Sequence, residues 1–181
     1  AVYQEMTNRT GNKKIDLQTG NLERSFKISR SKPVVVLIID EFLSVLLQWK
    51  TLGQEGKRLL AMLTQILAQG RSEGVYVITA TQDADKTEMG NLRNNIANTI
   101  VLKQDSVYMN DFFLGAEASK NGYDSTQIAP SNHSNNFATA GIGYAKDEGG
   151  EPVKIRLAYL GDADIADAIK EHERAKPQPF G

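Results

Sequence analysis

The chain has 181 residues, of which 40% are hydrophobic and none is cysteine, and its 21 Lys and Arg side chains nearly balance 22 Asp and Glu side chains. These proportions are typical of one globular unit and exclude a wholly disordered or collagen-like chain. The lack of cysteine excludes disulfides, iron–sulfur clusters and thiolate zinc sites, which suits a reducing, cytosolic setting. No signal peptide is visible, and the longest apolar run, residues 34–39, is too short to cross a membrane.

The first half of the chain predicts strands that alternate with helices. Residues 34–39 are a continuous apolar run, which is typical of a parallel strand buried on both faces. Apolar side chains at helical spacing over 59–67 predict an amphipathic helix that lies on the sheet. Residues 75–80 predict a second buried strand, 88–97 a short helix and 99–102 a third strand. This order predicts an α/β fold with a mostly parallel, doubly wound sheet.

The second half predicts a more irregular arrangement. Residues 106–114 favour a helix, and 119–141 are rich in Ser, Asn, Thr, Gly and Ala, which predicts a long flexible loop. Residues 142–145 and 153–160 are expected to pair as a β-hairpin. A final helix is expected from Asp162 or Asp164 to about Glu173.

Two adjacent carboxylates, Asp40 and Glu41, directly follow the first predicted strand. Ligands of open α/β sheets bind beyond the carboxyl ends of the strands, so this position suits a nucleotide and its Mg²⁺. An apolar run followed by Asp-Glu is the Walker B pattern, in which Asp40 would hold Mg²⁺ through water and Glu41 would activate the attacking water. The alternative is that the two acids only stabilise the N-terminus of a following helix.

Two further positions are candidates for phosphate contacts. The second strand ends in Thr81-Gln82, and Gln82 could contact the γ-phosphate, although such a residue is also common in turns. Arg71 follows the long helix, where in a ring of subunits it could reach the phosphates of a neighbour. The alternative is an exposed arginine that interacts with the helix dipole. Both interpretations of Arg71 stay open.

Several familiar sites are missing from the sequence. The phosphate-binding pattern G-x-x-x-x-G-K-[ST] is absent, and Gly56-Lys57 only imitates it, because Arg58 stands where a Ser or Thr would bind Mg²⁺. His133 and His172 have no partner at metal-ligand spacing, and no nucleophile elbow supports Ser-His-Asp catalysis. The missing phosphate loop and the absence of an initial Met predict that the chain is the later part of a longer protein.

Several blocks of sequence occur in one order over nearly the whole chain. They are VVVLIIDEF ending at Phe42, LTQILAQGRSEGVYVITATQ ending at Gln82, NLRNNIANTIVLK ending at Lys103, and GIGYA with EPVKIRLAYLGDADIADAI near the end. YQEMTNR upstream is similar to an E-M-x-x-R segment, and LGAE at residues 114–117 to a G-A-E element. Together these blocks resemble the motor domain of the FtsK/SpoIIIE family of DNA translocases.

The resemblance implies a RecA-like P-loop NTPase core that binds ATP and Mg²⁺ between subunits of a homo-hexamer and moves along double-stranded DNA. It also implies a cytoplasmic motor tethered at the inner face of a bacterial cell membrane by an anchor outside this chain. Asp40 and Glu41 match the Walker B pair, Gln82 the polar residue of the A-T-Q motif, and Arg71 the arginine of the A-R-x-x-G-I stretch. Arg71 is the candidate for a trans arginine finger, with Arg93 as its rival. Residues 1–175 would be the later part of the motor domain and 176–181 a tail.

The chain also departs from the family pattern. There is no Walker A motif, Asp83-Ala84 replaces an R-P pair, and residues 104–110 replace a basic stretch. These changes and the long 119–141 loop favour relatives from plasmid, phage or transposon transfer.

Three hypotheses follow from these patterns. The first is an ATP-driven DNA translocase for chromosome segregation or conjugative transfer, the second a related ring ATPase that drives protein secretion, and the third a non-catalytic RecA-like assembly module. Without a phosphate loop, the isolated chain is expected to be inactive.

Overall fold

A computed structural model describes residues 1–11, 26–83 and 85–175. The predicted tail at 176–181 and Ala84 of the departing Asp83-Ala84 pair lie outside the described residues. The chain divides into two compact units, Ala1–Ala97 and Asn98–Gly181. Among the described residues, no helix combines the length and the apolar composition needed to cross a bilayer.

The first unit is built from helices around a pair of strands. Its elements are α1 (Val2–Gly11), β1 (Val35–Ile39), α2 (Phe42–Thr51), α3 (Gln54–Gln69), a 3₁₀ turn (Gly70–Glu73), β2 (Val75–Thr79) and α4 (Lys86–Arg93). β1 and β2 are parallel and pair from Val35 with Val75 through Ile39 with Thr79. The predicted α/β class, with a parallel sheet as its centre, is therefore confirmed.

One face of this parallel pair carries the core of the first unit. Met6 of α1, Ile66 of α3, and Val35 and Val75 of the strands are buried against one another. Met6 is only 1% exposed, and Val2 and Tyr3 of α1 pack against the same cluster.

The other face of the pair is open. Val36, Ile38, Tyr76 and Ile78 are between 45% and 70% exposed. Alternate residues of a strand face opposite sides of a sheet, and the helices of this unit cover only the side of Val35 and Val75. The prediction that the first strand is buried on both faces is therefore wrong for the described residues.

The second unit contains an antiparallel sheet. Its elements are β3 (Thr99–Leu102), α5 (Val107–Leu114), two 3₁₀ turns (Ser125–Gln127 and His133–Asn135), β4 (Ile142–Lys146), β5 (Val153–Arg156) and α6 (Asp162–Ala175). The strand order is β3-β4-β5. The predicted hairpin of β4 and β5 and the predicted final helix are both present.

The third strand differs from its prediction. β3 pairs antiparallel with β4, Val101 opposite Tyr144, instead of extending the parallel sheet. Both of these side chains are buried in the core of the second unit, together with Leu114 of α5. This shared core, formed with a strand some forty residues later in the chain, explains why β3 joins the antiparallel sheet.

A buried polar network holds the start of the predicted long loop. The Asn110 side chain is fully buried, accepts hydrogen bonds from the Ser125 amide and hydroxyl at 2.9 and 2.8 Å, and donates to the Tyr123 carbonyl. Asp111 accepts from the amide and hydroxyl of Ser119. Burial tends to raise the pKa of Asp111, but hydrogen bonds from Ser119 and Asn110 outweigh it and leave that pKa below its ordinary value.

Candidate functional site

The carboxyl ends of β1 and β2 form one edge that carries the predicted nucleotide residues. Just past the paired residues, the Ala80 amide donates to the Ile39 carbonyl at 3.0 Å and the Phe42 amide donates to the Ala80 carbonyl at 2.8 Å. The Thr81 hydroxyl lies 3.3 Å from Oε1 of Glu41 and 2.5 Å from the Asp83 carbonyl oxygen, and its single proton is shared between these two acceptors. The structure therefore brings Asp40-Glu41 and Thr81-Gln82 together, although their roles stay predictions.

Glu41 has an unusual backbone. Its φ of 49° and ψ of 57° place it in the left-handed region, which costs a residue other than glycine roughly 1–2 kcal/mol. The next residue, Phe42, is completely buried and begins α2. The tight turn therefore leaves the Glu41 side chain beside Thr81 while Phe42 enters the core, and backbone strain of this kind clusters at functional sites.

The alternative role of the two acids, as caps of the following helix, finds little support in these contacts. Glu41 is the residue before α2, but its side chain makes no capping hydrogen bond. Oδ1 of Asp40 accepts a hydrogen bond from the amide of Glu41 at 3.0 Å, and Glu41 precedes the first turn of α2. The contacts of the acid pair therefore lie at the edge of the sheet and are not those of a helix cap.

We expect Glu41→Gly to raise the free energy of unfolding by up to about 1 kcal/mol, because glycine relieves the left-handed strain but loses more backbone entropy on folding. Urea denaturation of the intact natural polypeptide that contains this chain measures the change. Glu41→Gln is the matched control, since it removes the same charge and keeps the strained backbone. A glycine variant no more stable than the glutamine variant would show that the turn stores no strain.

Asp40 and Gln82 are exposed at this edge. A carboxylate whose one oxygen is held by a backbone amide is suited to orient the water shell of Mg²⁺, which keeps several waters in nucleotide sites. Over the described ranges, no group of three or more His, Cys, Asp or Glu side chains gathers into a metal site. A single carboxylate acting through water therefore fits the donor set better than direct ligation by several side chains.

Arg71 lies in a rigidly shaped turn between α3 and β2. Gly70 is buried, and a Cβ at that position would approach the Val75 carbonyl oxygen to 2.6 Å. Gly74 ends the turn with a φ of 70°, and its amide donates to the Arg71 carbonyl. Glu73 is only 4% exposed, whereas Arg71 and Ser72 are exposed. The turn therefore presents Arg71 at the surface.

The turn and the acid pair lie at opposite ends of the strands. Arg71 precedes the amino end of β2, whereas Glu41 follows the carboxyl end of the parallel β1. The five residues of β2 span about 16 Å. The structure thus does not bring Arg71 to the Glu41 edge of its own subunit. The rival Arg93 is the last residue of α4 and is half-buried, which suits a finger less well than the exposed Arg71.

The sequence patterns placed Arg9 in the E-M-x-x-R segment but assigned it no role, and the structure connects it to this turn. Its Nη1 donates to the Glu73 carbonyl at 2.9 Å. The spacing of Glu5 and Arg9 by four residues is the one signal that predicts an interacting pair on a helix. The contact with Glu73 is 64 residues away in the chain and has no sequence signature.

No protein-family model and no curated protein sequence matches the chain significantly. Solved structures do match its fold. The pCW3 conjugation coupling protein TcpA, in a monomer form with ATPγS, matches 97% of this chain with a TM-score of 0.64 and 17% identity. The cytoplasmic domain of the type VII secretion ATPase EccC from Thermomonospora curvata matches 89% with a TM-score of 0.58 and 18% identity.

ATPases 2 and 3 of EssC from Geobacillus thermodenitrificans match 95% of the chain with a TM-score of 0.51 and 16% identity. The matched regions cover 47% of the TcpA chain, 29% of the EssC chain and 17% of the EccC chain, so this chain spans less than half of each neighbour. At these identities the likeness concerns the fold alone. The chain has the mixed α/β fold, with a parallel sheet, of P-loop ATPase domains.

Proposed function

We propose that the polypeptide containing this chain is an ATP-driven double-stranded DNA translocase of the FtsK/SpoIIIE type that works as a homo-hexameric ring. The observation that carries the proposal is the shared edge of β1 and β2, where Glu41 contacts Thr81 and Asp40 is exposed beside them. On an ATPase fold, this edge is where the chemistry of hydrolysis belongs.

Each residue of the edge has a chemical task in this proposal. Bound ATP and Mg²⁺ supply the γ-phosphoryl group and the charge that stabilises its transfer. Asp40 orients the water shell of the metal, and Glu41 accepts a proton from the attacking water. The Thr81 hydroxyl lies beside the Glu41 carboxylate, and Gln82 contacts the γ-phosphate. This chain contains no G-x-x-x-x-G-K-[ST] sequence. In this proposal its residues contribute the hydrolytic edge of the site.

The position of Arg71 supports assembly into a ring. Arg71 is exposed at the end of the strands opposite to the acid pair of its own subunit, so in this proposal it serves hydrolysis at the site of another subunit. In a closed ring, each subunit would then contribute its acid pair to one site and Arg71 to the next. This arrangement makes hydrolysis depend on assembly.

DNA is the first candidate for the cargo. TcpA, a conjugation coupling protein, has a structure that matches nearly the full length of this chain. Lys27 and Arg30 are exposed just before β1, and basic side chains of this kind can meet phosphates. In this proposal the motor is cytoplasmic and is tethered at the inner face of a bacterial membrane through an anchor outside residues 1–181.

Protein secretion is the second candidate, because EccC, named as a type VII secretion ATPase, has the same fold. A non-catalytic assembly module is the third. The two motors differ in what stimulates them, whereas the module would not hydrolyse ATP at all.

We expect duplex DNA to raise the ATPase rate of the intact natural polypeptide, with a half-maximal DNA concentration that increases steeply with salt, because phosphate contacts release counterions. A coupled phosphate-release assay with and without duplex DNA measures this. The Glu41→Gln protein provides the background rate. A robust ATPase that is indifferent to DNA would favour the secretion motor, and no turnover under any condition would favour the non-catalytic module.

A further inference from the structure

Arg9 is a buried cation that joins α1 to the turn carrying Arg71. Its side chain is only 7% exposed, and its Nε donates to Oε1 of Glu5 at 2.7 Å. Its Nη1 donates to the Glu73 carbonyl at 2.9 Å, at the last residue of the turn. The guanidinium also lies over the ring of Phe26, 5.2 Å from the ring centroid. The Arg9 side chain thus makes contacts both within α1 and at the end of a turn that is distant in the sequence.

The same ring connects Arg9 to the glycine that ends the turn. A Cβ at Gly74 would overlap the Phe26 ring, so the ring packs directly against the backbone there. Arg9, Phe26 and Gly74 are therefore in contact as a stack, and Glu73 is buried next to it. On the other side of Arg71, the Gly70 amide donates to the Ile66 carbonyl at the end of α3. The backbone of Arg71 is held from both directions.

This arrangement is poorly explained as a device for stability alone. Nη2 of Arg9 is buried without a hydrogen-bond partner among the described residues, and leaving such a donor unsatisfied is unfavourable. The packing of α1 onto the first unit is already provided by Met6, in the core with Val35, Ile66 and Val75. What Arg9 adds is a fixed position for the Glu73 carbonyl, two residues after Arg71.

We propose that Arg9 is a positioning residue that fixes the Gly70–Glu73 turn and thereby holds Arg71 in place to reach the nucleotide of a neighbouring subunit. This inference rests on the proposed function, since it assigns Arg9 a task only if Arg71 acts in trans. Arg9 itself lies away from the acid edge and touches no reacting atom. Its effect on hydrolysis must therefore pass through the turn.

Hydrogen exchange of the nucleotide-free intact polypeptide tests the first step. In Arg9→Gln, the amides of residues 70–74 should exchange at least about tenfold faster, because a charge-assisted hydrogen bond to the turn is lost. The amides of β2 should keep their protection, since Met6 still anchors α1. Arg58→Gln is the matched control, because Arg58 is 65% exposed and pairs with Glu55 within α3.

Steady-state kinetics of the same variants test the second step. Arg9→Gln should lower kcat by about 10²-fold with an unchanged KM for ATP, because misplacing a catalytic group by about 1 Å can have that effect. Arg9→Lys should act in the same direction but less strongly, since one ammonium cannot serve both Glu5 and the Glu73 carbonyl in the geometry of a guanidinium. If Arg9→Gln fails to fold, the milder Arg9→Lys variant provides the same measurement.

The possible outcomes separate this inference from the proposed function. In one outcome, Arg71→Ala lowers kcat, but both Arg9 variants have the amide-exchange rates and the ATP turnover of Arg58→Gln. The positioning role is then wrong and the proposed function stands. If the turn loosens in the Arg9 variants but neither they nor Arg71→Ala changes kcat, Arg71 is not a finger, and both the positioning role and that part of the proposed function are overturned. A uniform rise in exchange over the whole first unit would show that Arg9 is only structural.

Discussion

Glu41→Gln is expected to reduce ATP turnover of the intact natural polypeptide by about 10²- to 10⁴-fold, which is the usual contribution of a positioned general base. Glutamine has nearly the same shape, can still accept the Thr81 hydrogen bond, and keeps the backbone of residue 41 as it is. It cannot take a proton from water. Single-turnover and steady-state phosphate release both measure the effect, and binding of a non-hydrolysable ATP analogue should be unchanged.

Glu55→Gln is the matched control for this substitution. Glu55 is exposed in the first turn of α3 and pairs with its neighbour Arg58. Removing its charge should leave turnover within experimental error of the unmodified protein. An undiminished rate in Glu41→Gln would mean that the acid pair is not the hydrolytic centre, and the proposed function would lose its main support.

Arg71→Ala is expected to reduce turnover by roughly 10³-fold or more, as removal of an arginine finger does in other phosphoryl-transfer systems. The exposed side chain contributes little to the core, and Gly70 and Gly74 still define the turn. The unfolding transition should therefore move little. The loss should appear in kcat, with nucleotide binding at the subunit's own edge retained.

Mixing two inactive variants distinguishes a finger that acts in trans from one that acts in cis. Arg71→Ala subunits keep Glu41, and Glu41→Gln subunits keep Arg71, so mixed rings contain some complete sites. Turnover should recover partly on mixing and depend on the ratio of the two proteins. A mixture as inactive as its components would contradict the trans assignment, and Arg93→Ala in the same assay tests the rival residue.

Local patterns were sufficient to predict much of the first unit. The apolar runs of β1 and β2 and the helical spacing in α3 each depend on neighbouring residues. Both strands lie within their predicted runs, whereas α3 extends beyond the predicted 59–67 to Gln54–Gln69. Because parallel strands end at the same edge, placing Asp40-Glu41 beside Thr81-Gln82 required only the strand assignments. The helix predicted at 88–97 is shorter and starts earlier, at Lys86, because Asp85 caps it through the amides of Thr87 and Glu88.

Other features depend on contacts between distant parts of the chain. β3 has the composition of a parallel strand, yet it pairs antiparallel with β4 because their side chains share a core with α5. A single strand carries no local signal for the direction of its partner. The open face of β1 and β2 likewise depends on which helices pack there, and periodicity within a strand does not specify them.

The sequence by itself determined the fold class, the acid pair at the end of the first strand and the candidacy of Gln82 and Arg71, because each follows from local composition and spacing. Only the tertiary structure decided the left-handed backbone of Glu41 and its contact with Thr81. It alone also revealed the link from Arg9 to Glu73. These features arise when residues 40 to 64 positions apart are brought into contact, and such contacts are set by packing of the whole unit.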